Sequence, residues 1–385
     1  MHRLRFVART LVTLTALLLA LPLASQGCSS KNSLISNTDA GSTQPDCTHP
    51  PTLEDDTYSG CATCSFQAGA TPTACTPQRS INACCDYVQK PTAEIQRGVG
   101  LHYFSSSDPT VNLGCLAAPA TAGPSQNVTL SGYVKLFANG DDSQGVKVEI
   151  FKADPTTGAL GASMGTYTTS AALDPTPVVE TWSSKCPSDG CKLRHFQIKN
   201  VPTETPLVIK TSDAAGSGLW ADLYDYNIYL TDSPVPGAGD PNCTTPPCYN
   251  PSAVAATDIN TVAASAGGFT IKPDKGVMAG EVHDCGDVRI EGATVDTDQA
   301  HEGPIFYFNQ DEANPVPDNS RAQGGLGTST LSLFGALNIA TGVPIRVSAT
   351  GIYQGKLTLL GTYVVQTFPG AVTALSFRGR RPFQQ

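Results

Sequence analysis

The stretch Val146-Lys-Val-Glu-Ile150 alternates apolar and polar side chains with a period of two, which is typical of a half-buried β-strand. The turn formers Asn139-Gly-Asp-Asp142 precede this stretch. Other runs rich in β-branched and aromatic residues lie at Val128–Val134, Phe196–Ile198, Leu207–Ile209 and Tyr224–Leu230. None of these runs sustains a helical period with caps. The sequence therefore predicts an all-β fold.

The β-rich pattern occurs twice along the chain. The paired segments are Leu130–Val134 with Met278–Val282, Gly145–Val148 with Gly292–Val295, and Phe196–Lys210 with Leu333–Val347. Each copy is too long for one unit of a solenoid. We therefore expect two tandem Ig-like β-sandwiches, over residues 99–231 and 276–385.

Three segments of the second copy carry a family resemblance. Val277–Asp287 contains a glycine-centred strand, Ile290–Val295 a Gly-Ala-x-Val motif, and Leu333–Ala349 a Phe strand followed by Asn-x-x-x-Gly. This pattern resembles the carboxypeptidase regulatory-like domain, a transthyretin-like β-sandwich, and is most similar to its versions in exported myxobacterial lipoproteins. The first copy matches less well. The resemblance implies a binding, spacing or display module, because the His-x-x-Glu zinc pair of the carboxypeptidases themselves is missing from this sequence.

The N-terminus predicts export. Arg3, Arg5 and Arg9 precede the apolar run Leu11–Leu23. A helix of that length spans about 20 Å, too short for a bilayer core of about 30 Å. We therefore interpret residues 1–27 as a signal peptide.

The cleavage region predicts a lipid anchor at Cys28. Ser25-Gln-Gly-Cys28 is similar to a bacterial lipobox, although Ser25 and Gln26 depart from its usual pattern. Ordinary cleavage near Ala24 or Gly27, which leaves a soluble secreted or periplasmic protein, is the alternative. The chain has 13 cysteines, so lipidation of Cys28 leaves an even number that can pair. Residues 28–46 are polar and predict a flexible tether. We expect an outer-membrane lipoprotein that faces the periplasm or the cell surface.

The other cysteines predict disulfides. Residues 47–98 form a small module with few large apolar side chains, so disulfides must hold it. Its cysteines are Cys47, Cys61, Cys64, Cys75, Cys84 and Cys85. Cys61 and Cys64 could form a redox pair, but a structural framework is favoured. Cys186 with Cys191, and Cys243 with Cys248, each enclose four residues that include turn formers and predict local disulfides. The sequence leaves the partners of Cys115 and Cys285 open.

The sequence of residues 232–275 predicts a proline-rich linker with one short helix, Asp258–Ala266, which Thr257 would cap.

The net charge of the chain limits the classes of partner that it can bind. Net charge is −9, and it falls to −12 when the signal peptide takes away its three arginines. Nucleic acid is therefore excluded as a partner, because its phosphates need a basic surface.

Three motifs are candidate sites. Gly161-Ala-Ser163-Met-Gly165 matches the nucleophile elbow of hydrolases, but a strand-like sequence follows it, so we expect no catalysis. Asp296–Glu302 is an acidic loop that could hold calcium, although a solvated loop without metal is favoured. Trp220, Tyr224 and Tyr226 could stack on a sugar ring if exposed, or else belong to the core.

These observations predict a non-catalytic structural, adhesive or display module without a cofactor, anchored to the cell envelope. Its partner would be a protein or a glycan. A carbohydrate-binding module is the alternative, and an extracellular hydrolase comes third.

Overall fold

The computed structural model describes residues 101, 111–117, 121–138, 140–180, 186–231, 247–324, 326–353, 356–379 and 381–383. Within these residues nearly all regular structure is β, which confirms the predicted fold class. The predicted signal peptide, tether and cysteine-rich module lie outside the described residues, and so does Cys28.

The first half of the described chain contains nine strands. They are β1 (Asn127–Tyr133), β2 (Lys135–Phe137), β3 (Val146–Ala153), β4 (Leu160–Thr168), β5 (Val178–Glu180), β6 (Cys191–Leu193), β7 (His195–Pro202), β8 (Leu207–Asp213) and β9 (Leu223–Ile228).

The second half adds two helices and eight more strands. They are β10 (Ser252–Val254), α1 (Ala256–Ser265), β11 (Gly276–His283), β12 (Thr294–Thr297), β13 (Glu302–Tyr307), α2 (Asn319–Gly324), β14 (Leu333–Ile339), β15 (Ile345–Tyr353), β16 (Lys356–Val365) and β17 (Val372–Arg378).

One eight-stranded sheet runs through both halves, in the order β13-β14-β11-β17-β9-β8-β3-β4. Strand β17 lies at its centre and is parallel to both neighbours, β11 from the second half and β9 from the first. The tandem repeat predicted two sandwiches in series, whereas here the two segments share this sheet. A second layer in each half completes the packing, with β1-β7 in the first half and β12-β15-β16 in the second.

The two second layers cover opposite faces of the central sheet. On β8, Leu207 and Ile209 belong to the core beneath β1-β7, whereas Val208 between them belongs to the core beneath β12-β15-β16. Successive side chains of a strand point to opposite faces, so a single strand serves both cores. In the second half, the face turned away from β12-β15-β16 is covered by α1, whose Ala263 packs with Val277 and Val372.

Helix α1 confirms the predicted short helix but begins earlier than expected. Its N-cap residue is Ala255, which makes no side-chain capping bond, so the prediction that Thr257 caps the helix is wrong. The Ala256 amide donates instead to the Leu219 carbonyl at 3.0 Å. A tertiary contact therefore satisfies a donor that a polar cap would otherwise bind. Upstream, β10 pairs with β2, so this part of the predicted linker is an integral part of the fold.

Candidate functional site

A cavity of about 250 Å³ lies between the central sheet, α1 and the β2-β10 pair. Its floor consists of strands β9, β17 and β11, which are in parallel register. Leu223, Val372 and Val277 lie side by side in one row of the sheet. The next row contains Asp225, Ala374 and Ala279, and the row after it pairs Ser376 with Glu281. The floor therefore changes from apolar to polar along the strand direction.

The apolar end is lined by phenyl rings and by the inner side of α1. Phe306 and Phe308 lie 5.6 Å apart between ring centroids, and Phe137 meets Phe308 edge to face at 6.3 Å. Helix α1 contributes Ile259 and Val262. Such a wall favours an apolar ring or a branched aliphatic group.

The polar end is an uninterrupted chain of opposite charges. Glu281 accepts hydrogen bonds from Arg289 at 2.9 Å and from the His283 Nε2 at 2.7 Å. The other imidazole nitrogen, Nδ1, lies 2.7 Å from Asp287 Oδ1. Arg289 also reaches the exposed Glu312, at 3.0 Å.

Arg378 closes the chain at its buried end. Its Nη1 donates to both oxygens of Asp287, at 2.6 and 2.8 Å. His283 and Arg378 are register partners on β11 and β17, so the sheet itself brings the imidazole and the guanidinium to the same carboxylate.

The network favours the charged form of His283. Burial opposes the charged form, but the hydrogen bonds with Asp287 and Glu281 outweigh it and raise the His283 pKa. Burial also opposes ionisation of Glu281, yet the hydrogen bond from His283 and the charge of Arg289 hold its pKa well below the usual value. The Asp287 pKa is lowered against burial in the same way, through His283 and Arg378.

Asp225 is the acidic group at the middle of the cavity floor. It is only 8% exposed, and burial raises its pKa to about 6 despite a hydrogen bond from the Tyr249 hydroxyl. Burial disfavours a carboxylate unless a cation or several donors compensate it. Asp225 therefore differs from Glu281 and Asp287, which have such compensation.

A disulfide fixes the turn that carries Asp287. Cys115 pairs with Cys285, which answers the question that the sequence left open. Asp284 Oδ1 accepts the backbone amides of Gly286 and Val288, at 2.8 and 2.9 Å, and shapes the same turn. The disulfide lies against Gly379, where a Cβ atom would come 2.5 Å from Cys115 Sγ, so only glycine fits beside Arg378.

The three aromatic candidates do not form one exposed face. Trp220 and Tyr226 are buried in the cores on opposite sides of the central sheet, and Trp220 lies outside β9. Tyr224 stacks on Phe368 at 3.9 Å between centroids and lies beneath the Lys210 ammonium. A sugar platform needs exposed rings, so these positions agree with the core interpretation and do not support the glycan hypothesis.

The other motifs can also be placed. Ser163 lies inside strand β4 and not at the strand-to-helix turn that the elbow motif requires. Asp296 is buried in β12 and has one unpaired oxygen, so the expectation of a solvated loop is wrong there. The strand Thr294–Thr297 pairs with β15, and that pairing draws Asp296 into the interior.

Some of the predicted disulfides can be checked against the structure, and others involve cysteines outside the described residues. Cys186–Cys191 is present, as expected. Cys248 is disulfide-bonded, but Cys243 lies outside the described residues, as do Cys47, Cys61, Cys64, Cys75, Cys84 and Cys85.

A second, more open cavity of about 380 Å³ lies beside β1 and β7. Asp174 holds the half-exposed His195 ring there, with Oδ2 3.0 Å from Nδ1. Tyr133, Tyr167 and Phe196 also line this cavity, but it is more open and its Asp174 is already paired with His195, so the first cavity is the stronger candidate for a binding site.

Comparison with known proteins does not identify a family for this chain. No family model matches the chain, and no curated protein matches it either. In the part of the chain that the structure describes, neither helix is long and apolar enough to span a bilayer. The same residues contain no group of three His, Cys, Asp or Glu side chains placed to hold a metal ion.

Proposed function

We propose that this chain is a non-catalytic binding and display module of the cell envelope, anchored through a lipid on Cys28. The cavity between α1 and the central sheet is its binding site, and the ligand is a small amphipathic molecule. The observation that carries this proposal is the change of the cavity from a phenyl-lined end to a charged end.

The size of the cavity supports a small ligand. An engineered apolar cavity of about 150 Å³ accepts benzene. Pockets for drug-sized molecules begin at about 300 Å³. A volume of about 250 Å³ therefore suits one aromatic or branched aliphatic group with a short polar head.

The pairing of the charges at the polar end of the cavity supports binding over catalysis there. A general acid or base must be able to exchange a proton with the substrate. Glu281, His283 and Asp287 are instead hydrogen-bonded to one another and to the two arginines. Such a network fixes the shape and the electrostatic field of a site.

Ligand-observed NMR with the purified mature protein tests the proposal, using toluene and p-cresol as probes. We expect saturation transfer to p-cresol with a Kd between about 1 mM and about 0.1 mM, which corresponds to about −4 to −5.5 kcal/mol. Ala374→Leu or Ala279→Leu should abolish it, because both half-buried alanines lie on the cavity floor.

Ala162→Leu is the matched control, since it adds the same volume on the exposed strand β4 and should leave binding unchanged. Absence of transfer to either probe, or binding that survives both floor substitutions in folded protein, would contradict the proposal.

A further inference from the structure

We infer that the ligand of this cavity is a small cationic amine, with its ammonium group on Asp225 and its apolar body against Phe306 and Phe308. The inference rests on the proposed function, since it names the class of molecule that the same cavity takes.

Asp225 has an incomplete set of partners. The Tyr249 hydroxyl donates to Oδ2, and the structure gives no donor for the other oxygen of this side chain. A carboxylate has about four lone-pair sites for hydrogen bonds. The buried Asp225 thus presents to the cavity an acceptor oxygen that a ligand can use.

The other charged groups of the cavity wall are already paired. Glu281 is held by Arg289 and His283, and Arg378 is held by Asp287. Lys135 and Asp258 also have interactions of their own. Asp225 differs from Glu281 and Arg378 on the same wall, because its hydrogen-bond partner is a neutral hydroxyl and not a charged group.

Charge complementarity then selects the head group. An ammonium beside Asp225 forms a charge-assisted hydrogen bond, which is about twice as strong as a neutral one. A ligand carboxylate would place a second negative charge beside Asp225 in a poorly solvated site. A neutral hydroxyl would neither form a charge-assisted hydrogen bond with Asp225 nor be repelled by it. The expected order of affinity is amine, then alcohol, then carboxylate.

The shape of the cavity determines the size of the apolar part of the ligand. Asp225 shares its row of the floor with Ala374 and Ala279, whose small side chains leave the space above them open. The neighbouring row and the phenyl rings are apolar. A molecule with one ring and a one-carbon link to its amine can therefore reach both ends of the site.

Binding of an amine should depend on the ionisation of Asp225. The groups that act on this carboxyl are Tyr249 before β10, Glu281 on β11, Arg378 on β17 and Arg381 beyond it, and burial outweighs them to raise the pKa to about 6. One unit below the pKa only about a tenth of such groups are ionised. Amine affinity should therefore fall as the pH falls below 6, while the amine itself stays protonated.

The test compares benzylamine, benzyl alcohol and benzoate, which share one ring and differ in the charge of the head. At pH 7.5 we expect benzylamine to bind the wild-type protein at least about tenfold more tightly than benzyl alcohol, or about 1.4 kcal/mol. Benzoate should bind most weakly. Between pH 7.5 and pH 5 the benzylamine affinity should drop about tenfold, and the benzyl alcohol affinity should not change.

Asp225→Asn should remove both the amine preference and its pH dependence. The amide oxygen can still accept from Tyr249, so the variant should fold, and its melting temperature is measured alongside. Asp222→Asn makes the same change at a carboxylate that pairs with Lys210 outside the cavity, and it should behave as the wild type.

The outcomes distinguish the amine inference from the proposed binding function. If benzyl alcohol binds as tightly as benzylamine, or if the preference survives in Asp225→Asn, the amine inference is overturned while the binding function stands. If none of the three compounds binds, the proposed function itself fails. The pH series on the wild-type protein decides the inference even if Asp225→Asn does not fold.

Discussion

Asp287 and Arg378 form an ion pair in which one guanidinium nitrogen reaches both carboxylate oxygens, at 2.6 and 2.8 Å. The pair joins the turn after β11 to the end of β17, and the same carboxylate lies 2.7 Å from the His283 ring. One side chain thus connects the disulfide-held turn, the central strand and the cavity network.

Loss of this ion pair should destabilise the protein strongly. Arg378→Met leaves Asp287 in its buried position without its guanidinium, and removal of one partner of a buried pair costs about 3–5 kcal/mol. Urea unfolding measures the difference. Lys192→Met is the matched control, because its pair with Asp189 is exposed and should contribute no more than about 1 kcal/mol. Equal effects of the two substitutions would show that the Asp287 pair is not structurally important.

The raised pKa of His283 should appear in the pH dependence of stability. A group whose pKa is higher in the folded state stabilises that state fully below its unfolded pKa of about 6.5, and this stabilisation is lost as the pH rises through the folded value. The wild-type protein should therefore lose stability relative to His283→Gln as the pH is raised from 6 to 9. Unfolding free energies of both proteins across this range give the answer, and parallel curves would refute the expectation.

Asp225→Asn should gain stability relative to the wild type at neutral pH. The Asp225 pKa of about 6 means that folding favours the protonated acid, so its contribution is present at low pH and is lost as the pH rises through 6. Because each pKa unit corresponds to about 1.4 kcal/mol, the variant should be favoured by up to about 3 kcal/mol at pH 8 and by little at pH 4. Ligand-free protein is used, and a constant difference between the two proteins across this pH range would contradict the assigned burial effect.

The two described disulfides should differ in their contribution to stability. Cys115–Cys285 closes a loop with a sequence separation of 170, and Cys186–Cys191 closes one with a separation of 5. The chain-entropy relation gives about 5 kcal/mol for the long loop and about 2 kcal/mol for the short one. Double alanine variants of each pair, compared by urea unfolding, test the order. A larger loss from the short loop would contradict it.

The anchor can be tested independently of the fold. If Cys28 carries a lipid, the wild-type protein should be recovered with the membrane fraction and Cys28→Ser should be released to the soluble fraction. Intact-mass measurement of the mature N-terminus should show the added acyl groups. A soluble wild-type protein with an unmodified N-terminus would show that the anchor does not exist.

The fold class was predictable because it depends on the alternation of apolar and polar side chains along short segments of the chain. The pattern in Val146–Ile150 gave a strand, and β3 is found there. The shared sheet was not predictable, because it depends on which strand edges meet, and β17 contacts β9 across a long separation in sequence. The Cys115–Cys285 pairing depends on the same long-range geometry, whereas the short Cys186–Cys191 loop allowed only local closure.

The candidate site was harder to predict than the fold. Glu281 and His283 alternate with Val282 on β11, and this spacing was a signal that two polar side chains share one face of a strand. Their partner Arg378 could be identified only once the β11-β17 register was known. Trp220 and Tyr226 show a second limit of the sequence, because aromatic residues in a strand pattern are compatible with either exposure or burial, and tertiary packing decides between them.

The central position of β17 also determines when the sheet can be completed during synthesis. This strand is later in the chain than both strands it joins, so β9 and β11 have unpaired edges until β17 has emerged. Exposed strand edges are sites of aggregation. The sheet therefore cannot close at its middle until Val372–Arg378 has been synthesised, and a nonsense mutation before Val372 would leave these two strand edges unpaired.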